Sequence, residues 1–199
     1  MTAFMVRSVP STRTPAGSDA STSPPHTMNM TTRAVVRHLT ATLAYRAAKV
    51  LRDVPPGFAS TSFGNSTRRP VLIVAHLADL IAWAITLTQG EYLWKAQGGD
   101  DWNTEVARFF DNLSALDREL VSGAVDFSME KLIQGPLADA LTHVGQLAML
   151  RGMAGTPVRP ESFARAEIVA GRVSLDQAPP GREFDGDASA ITKEGRQNG

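Results

Sequence analysis

From Val71 to Leu87 the chain runs VLIVAHLADLIAWAITL, 17 residues that are apolar almost all round and carry His76 and Asp79 in their middle. Such a segment offers water no polar face, so it has to be covered on every side. A bilayer can do that, or a set of surrounding helices. A membrane span needs about 20 predominantly apolar residues, and this run is shorter and interrupted by a histidine and an acid. It therefore predicts the central helix of an all-α bundle, opened by Pro70 in its first turn and stopped at Gln89-Gly90.

The helices around it show in the spacing of apolar residues. From Thr32 to Val54, the positions Val36, Leu39, Leu43, Ala47, Val50 and Val54 recur every three or four residues, the repeat of one helical face. Thr31 or Thr32 caps its start and Pro55-Pro56 ends it. After a loop from Gly57 to Arg69, and beyond the central segment, Asp101 caps a third helix. Its stripe is Val106, Phe109, Phe110, Leu113, Leu116 and Leu120, and Gly123 breaks it. Ser128 caps a short turn through Gln134. Gly135-Pro136 then opens the last main helix, LADALTHVGQLAMLRGMA, which Gly155 closes as a left-handed cap ahead of Pro157. Four helices with no convincing strand and no internal repeat predict a four-helix bundle. Residues 161–170 are expected to add a short outer helix, and 171–180 to run extended over the surface.

The ends of the 199-residue chain read differently. Residues 1–30 are rich in Ser, Thr and Pro and lack any periodic apolar face, which predicts a disordered segment. Its arginines and few acids suggest a transit peptide, but without an amphipathic stripe Met28 or Met30 is the favoured alternative start. From Gly181 the chain is Gly-rich and charged, so 181–199 is expected to be a flexible tail and 31–180 the folded domain.

Charge and composition narrow the function classes. Twenty basic residues balance twenty acidic ones, so no overall field gathers nucleic acid or anionic lipid. With no cysteine, disulfides, thiolate nucleophiles and thiolate ligands are excluded. Histidine and carboxylate remain as the strong metal ligands, and a reducing cytoplasm suits the composition.

Polar residues stand where the core is expected. At about 100° per residue, Asp139, His143, Gln146, Leu150 and Met153 share one line of the last helix. Leu72, His76, Leu80, Trp83 and Leu87 share one on the central helix. If the two lines face each other, an acid and two imidazoles meet in the interior and need partners, and a shared metal ion is one economical arrangement. The plainer alternative is that His76 is a hydrogen-bonded core residue and that Asp139 and His143 form a local i,i+4 pair. Asp79 and Trp83 on the central helix, Gln146 on the last and Arg46 with Tyr45 on the first are candidates for the lining of the pocket or for orienting its ligands.

With the segments VAHLADLIAWA, DWNTEVARFFDNLSALD and LTHVGQLAMLRGMAGTPV, the chain resembles the DinB-like, or YfiT-like, metalloenzyme superfamily over about residues 43–160. The resemblance implies a four-helix bundle. It also implies that a histidine on the second helix joins an H-x-x-x-H pair on the last to hold a divalent metal, commonly zinc or nickel. His76 matches the first ligand, and His143, ahead of Val144-Gly145-Gln146, matches the last. The chain departs from the pattern at Asp139, which stands where the family usually has histidine. Two histidines and one carboxylate can still hold zinc, and they also describe a non-haem iron triad. By the same resemblance the expected activity is that of a metal-dependent transferase or hydrolase acting on a small molecule, with a low-molecular-weight thiol as one substrate class. A non-catalytic bundle that binds a small molecule or protein partner, and a self-associating homodimer, stay open as alternatives.

Overall fold

A computed structural model describes residues 31–65, 68–122 and 127–184. The expectations for residues 1–30, Gly123 and 185–199 lie outside these. Among the described residues the protein is all-α and bundle-like: α1 (Thr32–Leu51), α2 (Pro70–Thr88), α3 (Trp102–Ser122), the single turn α4 (Met129–Leu132) and α5 (Ala138–Met153). The only extended pairing among them is one isolated bridge between Glu161 and Glu183.

The capping chemistry acts where the sequence placed it. The Thr31 hydroxyl accepts from the Ala34 amide at 3.2 Å, and the Asp101 carboxylate accepts from the Thr104 amide at 2.8 Å. Pro70 opens α2, and Gly155 takes φ 76° just past the end of α5. Ser128 differs: it occupies the cap position of α4, but its hydroxyl donates to the Glu130 side chain and leaves the backbone uncapped. Between α4 and α5 the chain makes a wide turn in which Gly135 (φ −94°, ψ −107°) departs from helical geometry and Pro136 follows. This kink sets the direction of α5, and with it the placement of Asp139 and His143.

α2 is the core helix. It is long and apolar enough to cross a membrane, with a mean hydropathy of 2.0, and 67% of that stretch is buried inside the bundle. Leu77, Ala78, Ile81 and Ala84 are fully buried, as are Phe109, Leu113 and Leu116 of α3, its most extensive neighbour. Each such large side chain contributes about 1.5–3 kcal/mol by leaving water. Covering α2 therefore outweighs any single polar contact.

Two ends differ from expectation. α1 stops at Leu51 and not at Val54, with Asp53 left-handed at φ 51°. In place of another turn, the Arg151 guanidinium of α5 takes the carbonyls of Val50 (2.9 Å), Arg52 (2.8 Å) and Asp53 (3.3 Å). A buried cation at a helix C-terminus is favoured by the helix dipole as well as by these bonds.

The second difference lies at residues 161–170, which hold no outer α-helix, only a 3₁₀ turn at Phe163–Arg165. Glu161 is drawn away from a helical conformation by its partners: its carboxylate accepts from Tyr45 Oη (2.7 Å) and Lys49 Nζ (2.7 Å) on α1 and from the Gly181 amide (3.2 Å). The backbone beside it pairs with the chain end, Ser162 N donating to Arg182 O and Phe184 N to Pro160 O. Ordered contacts therefore extend to Phe184, four residues past the expected boundary at Pro180, and Glu183 also bridges Lys49 at 2.7 Å.

Burial works to raise the Glu161 carboxyl, but the hydrogen bonds from Lys49 and Tyr45, the Lys49 charge and the Gly181 amide outweigh it and hold the group below the usual carboxylate range. A depressed folded-state pKa contributes stability that is present above the unfolded value and lost as pH falls through the folded one. Glu161→Gln should therefore cost roughly 1–3 kcal/mol near neutral pH in denaturant unfolding. Its difference from the wild type should shrink as pH falls from the unfolded carboxylate value through the lower folded one; a difference independent of pH would remove the ionised carboxylate from the account. A chain ending at Phe184 should also melt above one ending at Pro180, and equal melting temperatures would show that the Lys49–Glu183 contact contributes nothing.

Candidate metal centre

The wide turn at Gly135 and the start of α5 bring Asp139 and His143 against His76 of α2. One nitrogen or oxygen from each residue lies within 4.8 Å of the others. His76 Nε2 is 3.8 Å from Asp139 Oδ2, and His143 Nε2 is 3.4 Å from Asp139 Oδ1. The two imidazoles meet edge to face, 4.7 Å between centroids at 87°. Asp139 sits in the first turn of α5, where a negative charge is favoured by the helix dipole.

These distances separate two readings. A charge-assisted N–H···O⁻ bond runs at about 2.7–2.9 Å, and both contacts to Asp139 are longer. Ligand atoms about 2.0–2.2 Å from a tetrahedral zinc stand about 3.4 Å apart; the His143–Asp139 contact matches this, whereas His76 reaches the other carboxylate oxygen at 3.8 Å and the three ligand atoms together lie within 4.8 Å, so the group would have to tighten on an ion. His143 Nδ1 lies 2.7 Å from the Gln146 side-chain amide, a contact that holds the ring with its Nε2 toward Asp139. His76 is biased toward the neutral, ligating form: burial lowers its pKa first, then the charges of His143 and Arg68, against the opposing pull of Asp139 and Asp79. The group could therefore hold a metal ion.

The centre is half open, with side-chain exposures of 22% for His76, 14% for His143 and 48% for Asp139. It therefore sits on the rim of the bundle, whereas the shared line along the helix predicted the interior. The buried face of α5 is Ala140, Val144, Leu147, Leu150 and Arg151, so only Leu150 of the predicted line is buried, and Met153 at its end is 59% exposed. A line of residues on a helix fixes a direction, but how the helix is rotated on its neighbours decides whether that direction meets the core or its edge. Beside the two histidines opens a cleft of about 410 Å³, lined by Ile73, Met149 and Leu150 and by the polar Arg68 and Gln146.

The other candidates separate. Gln146 lines the cleft and orients His143. Asp79 lines nothing: it is buried, accepts from Arg108 Nη1 at 2.7 Å and from the Gln97 amide at 3.2 Å, and faces α3. Trp83 lies away from the cleft, edge-on to Trp94 at 5.9 Å. Arg46 is on the far side of α5, stacked over Phe163 at 4.2 Å. Tyr45 points into the bundle toward Glu161.

Two groups escaped the sequence reading. Trp94 packs edge-on against His76 at 5.6 Å and links it to Trp83. Arg108 binds Asp79, Glu105 and the Ala75 carbonyl. Arg108 also explains how Trp94 is held. Segment 91–100, which carries it, is tied down by Gln97 on Asp79 and by the Gly99 amide on Glu105 (2.7 Å). Gly98 lies so close to α2 that a Cβ there would overlap the Ala75 methyl. The Gly98-Gly99 pair was the available sequence signal, since adjacent glycines mark a close backbone approach.

Comparison of the chain with protein-family models, with curated proteins and with solved structures finds no match. What the centre can do follows from its own chemistry: three ligand atoms, room for further ligands, and a cleft that is apolar on one wall and cationic at Arg68.

Arg108→Met should cost about 3 kcal/mol or more in denaturant unfolding, because it strands two buried carboxylates; a loss below about 1 kcal/mol would show that Asp79 and Glu105 do not depend on it. Gln146→Ala should leave the fold intact and weaken metal binding roughly 10- to 100-fold in calorimetry, the range for a group that orients a ligand. Unchanged affinity would show that His143 is oriented without it.

Proposed function

We propose that the chain is a metal-dependent enzyme of the DinB-like type, a transferase or hydrolase in which His76, Asp139 and His143 hold a divalent ion. The single observation that carries this is the convergence of three ligand atoms from two helices, within 4.8 Å of one another, beside a 410 Å³ cleft. Zinc or nickel suits two imidazoles and a carboxylate, and iron is the alternative for the same set with open positions. Bound there, the ion would supply Lewis acidity that lowers the pKa of a coordinated thiol or water.

The chain's own residues set the remaining conditions. The Gln146 side-chain amide holds the His143 ring. Trp94 and His143 both pack edge-on against His76, which restricts the rotation of its imidazole. Ile73 and Leu150 exclude water from one wall of the cleft. Arg68 favours a substrate carrying an anionic group, and a low-molecular-weight thiol is the substrate class we favour.

The departure from the family pattern supplies the test. Protein purified without a chelator should contain close to one divalent ion per chain by elemental analysis. Asp139→Ala and His76→Ala should each weaken calorimetric metal affinity more than about 100-fold, beyond the effect expected for a residue outside the ligand set. Asp139→His should keep or strengthen zinc and nickel binding. Metal-loaded protein should conjugate a small thiol to a reactive electrophile or hydrolyse an activated ester, and His143→Ala should abolish this. Equal metal content in wild type, Asp139→Ala and His76→Ala would overturn the reading and leave a non-catalytic bundle that binds a small molecule in the cleft.

A further inference from the structure

A second cleft of about 190 Å³ lies on the opposite side of α5 from the metal centre, between that helix, α1 and the segment through Phe163. Its walls are apolar: Val50 from α1, Leu141, Val144 and Ala148 from α5, and Val158 with the Phe163 ring from the crossing segment. The floor is partly bare, because a Cβ at Gly145 would meet nothing within 4 Å. An apolar cavity of about 150 Å³ takes a benzene ring, so this volume holds a ring or a branched aliphatic body with one small polar group.

The charges at the cleft decide which polar group. Three cations line it, Arg46, Lys49 and Arg159, against one acid, Glu161. Glu161 is fully engaged by Tyr45, Lys49 and the Gly181 amide. Glu183 is shared between Lys49 at 2.7 Å and Arg159 at 3.3 Å. Arg46 stands apart from these pairs: its guanidinium lies over the Phe163 ring without a carboxylate partner among the described residues. A guanidinium stacked on an aromatic face keeps its in-plane N–H donors available, and carboxylate is the group they match.

We infer that this cleft is a binding site for a small monocarboxylate with an aromatic or branched aliphatic body, its carboxylate held by Arg46 and its body by the Val50–Val144–Val158 wall. The site shares no residue with the metal centre and stands or falls without it.

The test uses the full chain after removal of metal with a chelator, titrated calorimetrically with benzoate, benzamide and acetate. Benzoate should bind saturably. Benzamide, of similar shape but uncharged, and acetate, with the charge but no ring, should each bind at least about tenfold more weakly. Arg46→Met, which removes the charge and keeps the apolar stem, should weaken benzoate at least about tenfold. Gly145→Leu fills the open floor and should abolish binding with an unchanged or raised melting temperature, since leucine is the better helix former. If that variant fails to fold, Arg46→Met, on an exposed side chain, still decides the matter. Absence of benzoate binding, equal affinity for benzoate and benzamide, or wild-type affinity in Arg46→Met would overturn the inference. So would binding lost in Arg68→Ala and kept in Arg46→Met, which would place the carboxylate in the cleft beside the metal centre.

Discussion

Everything in this structure depends on covering α2. Its residues from Val71 to Leu87 have almost no polar surface to leave in water, and 67% of the segment is buried. Meeting that demand takes the broad apolar face of α3 and the Ala140–Val144–Leu147 face of α5, with α1, whose Ala41, Ala44, Ala47 and Ala48 are fully buried, packed on α3 and α5. Hydrophobic burial is non-directional, however, and by itself leaves each helix free to rotate and slide on its neighbours.

Directional polar contacts remove that freedom. Arg108 ties α3 to Asp79 and to the Ala75 carbonyl of α2, and Arg37 on α1 makes a two-pronged pair with Asp117 on α3 at 2.9 and 3.0 Å. Arg151 fastens α5 to the end of α1, and Glu161 fastens the last segment to Tyr45 and Lys49. Among the described residues no buried side-chain nitrogen or oxygen lacks a partner. These cross-links contribute less than the core does, yet they set rotation and register, because a buried charge that loses its partner costs several kcal/mol.

The rotation they impose on α5 gives the helix two edges that each border a cleft. One carries Asp139, His143 and Gln146 along the seam with α2 and opens onto the larger cleft. The other carries Leu141, Gly145 and Ala148 along the seam with α1 and opens onto the smaller one. Placement at the rim suits the chemistry proposed for the His–Asp–His group. Fully interior ligands would have no room for further coordination, and fully exposed ones would be neither held in place nor biased toward the neutral form, as partial burial biases His76.

The sequence by itself determined the main helices and most of their ends, because period, caps and breakers act between residues a few positions apart. The apolar run of α2, the Phe109–Leu113–Leu116 stripe, the caps at Thr31 and Asp101 and the stop at Gly155 are such local properties, and so is the spacing that brings Asp139 and His143 together on α5. His76 could be paired with them because only the rarity of histidine in an apolar run was needed to single it out. What only the tertiary structure decided is everything that turns on helix rotation and on contacts distant in sequence: that the His–Asp–His group lies at the rim, that Asp79 serves Arg108, that Arg46 faces a different cleft, that Trp94 packs on His76, and that residues 161–170 form no α-helix under the hold of Glu161. A residue's angle on its own helix is a local quantity, but the direction of the core from that helix is set by all the others at once.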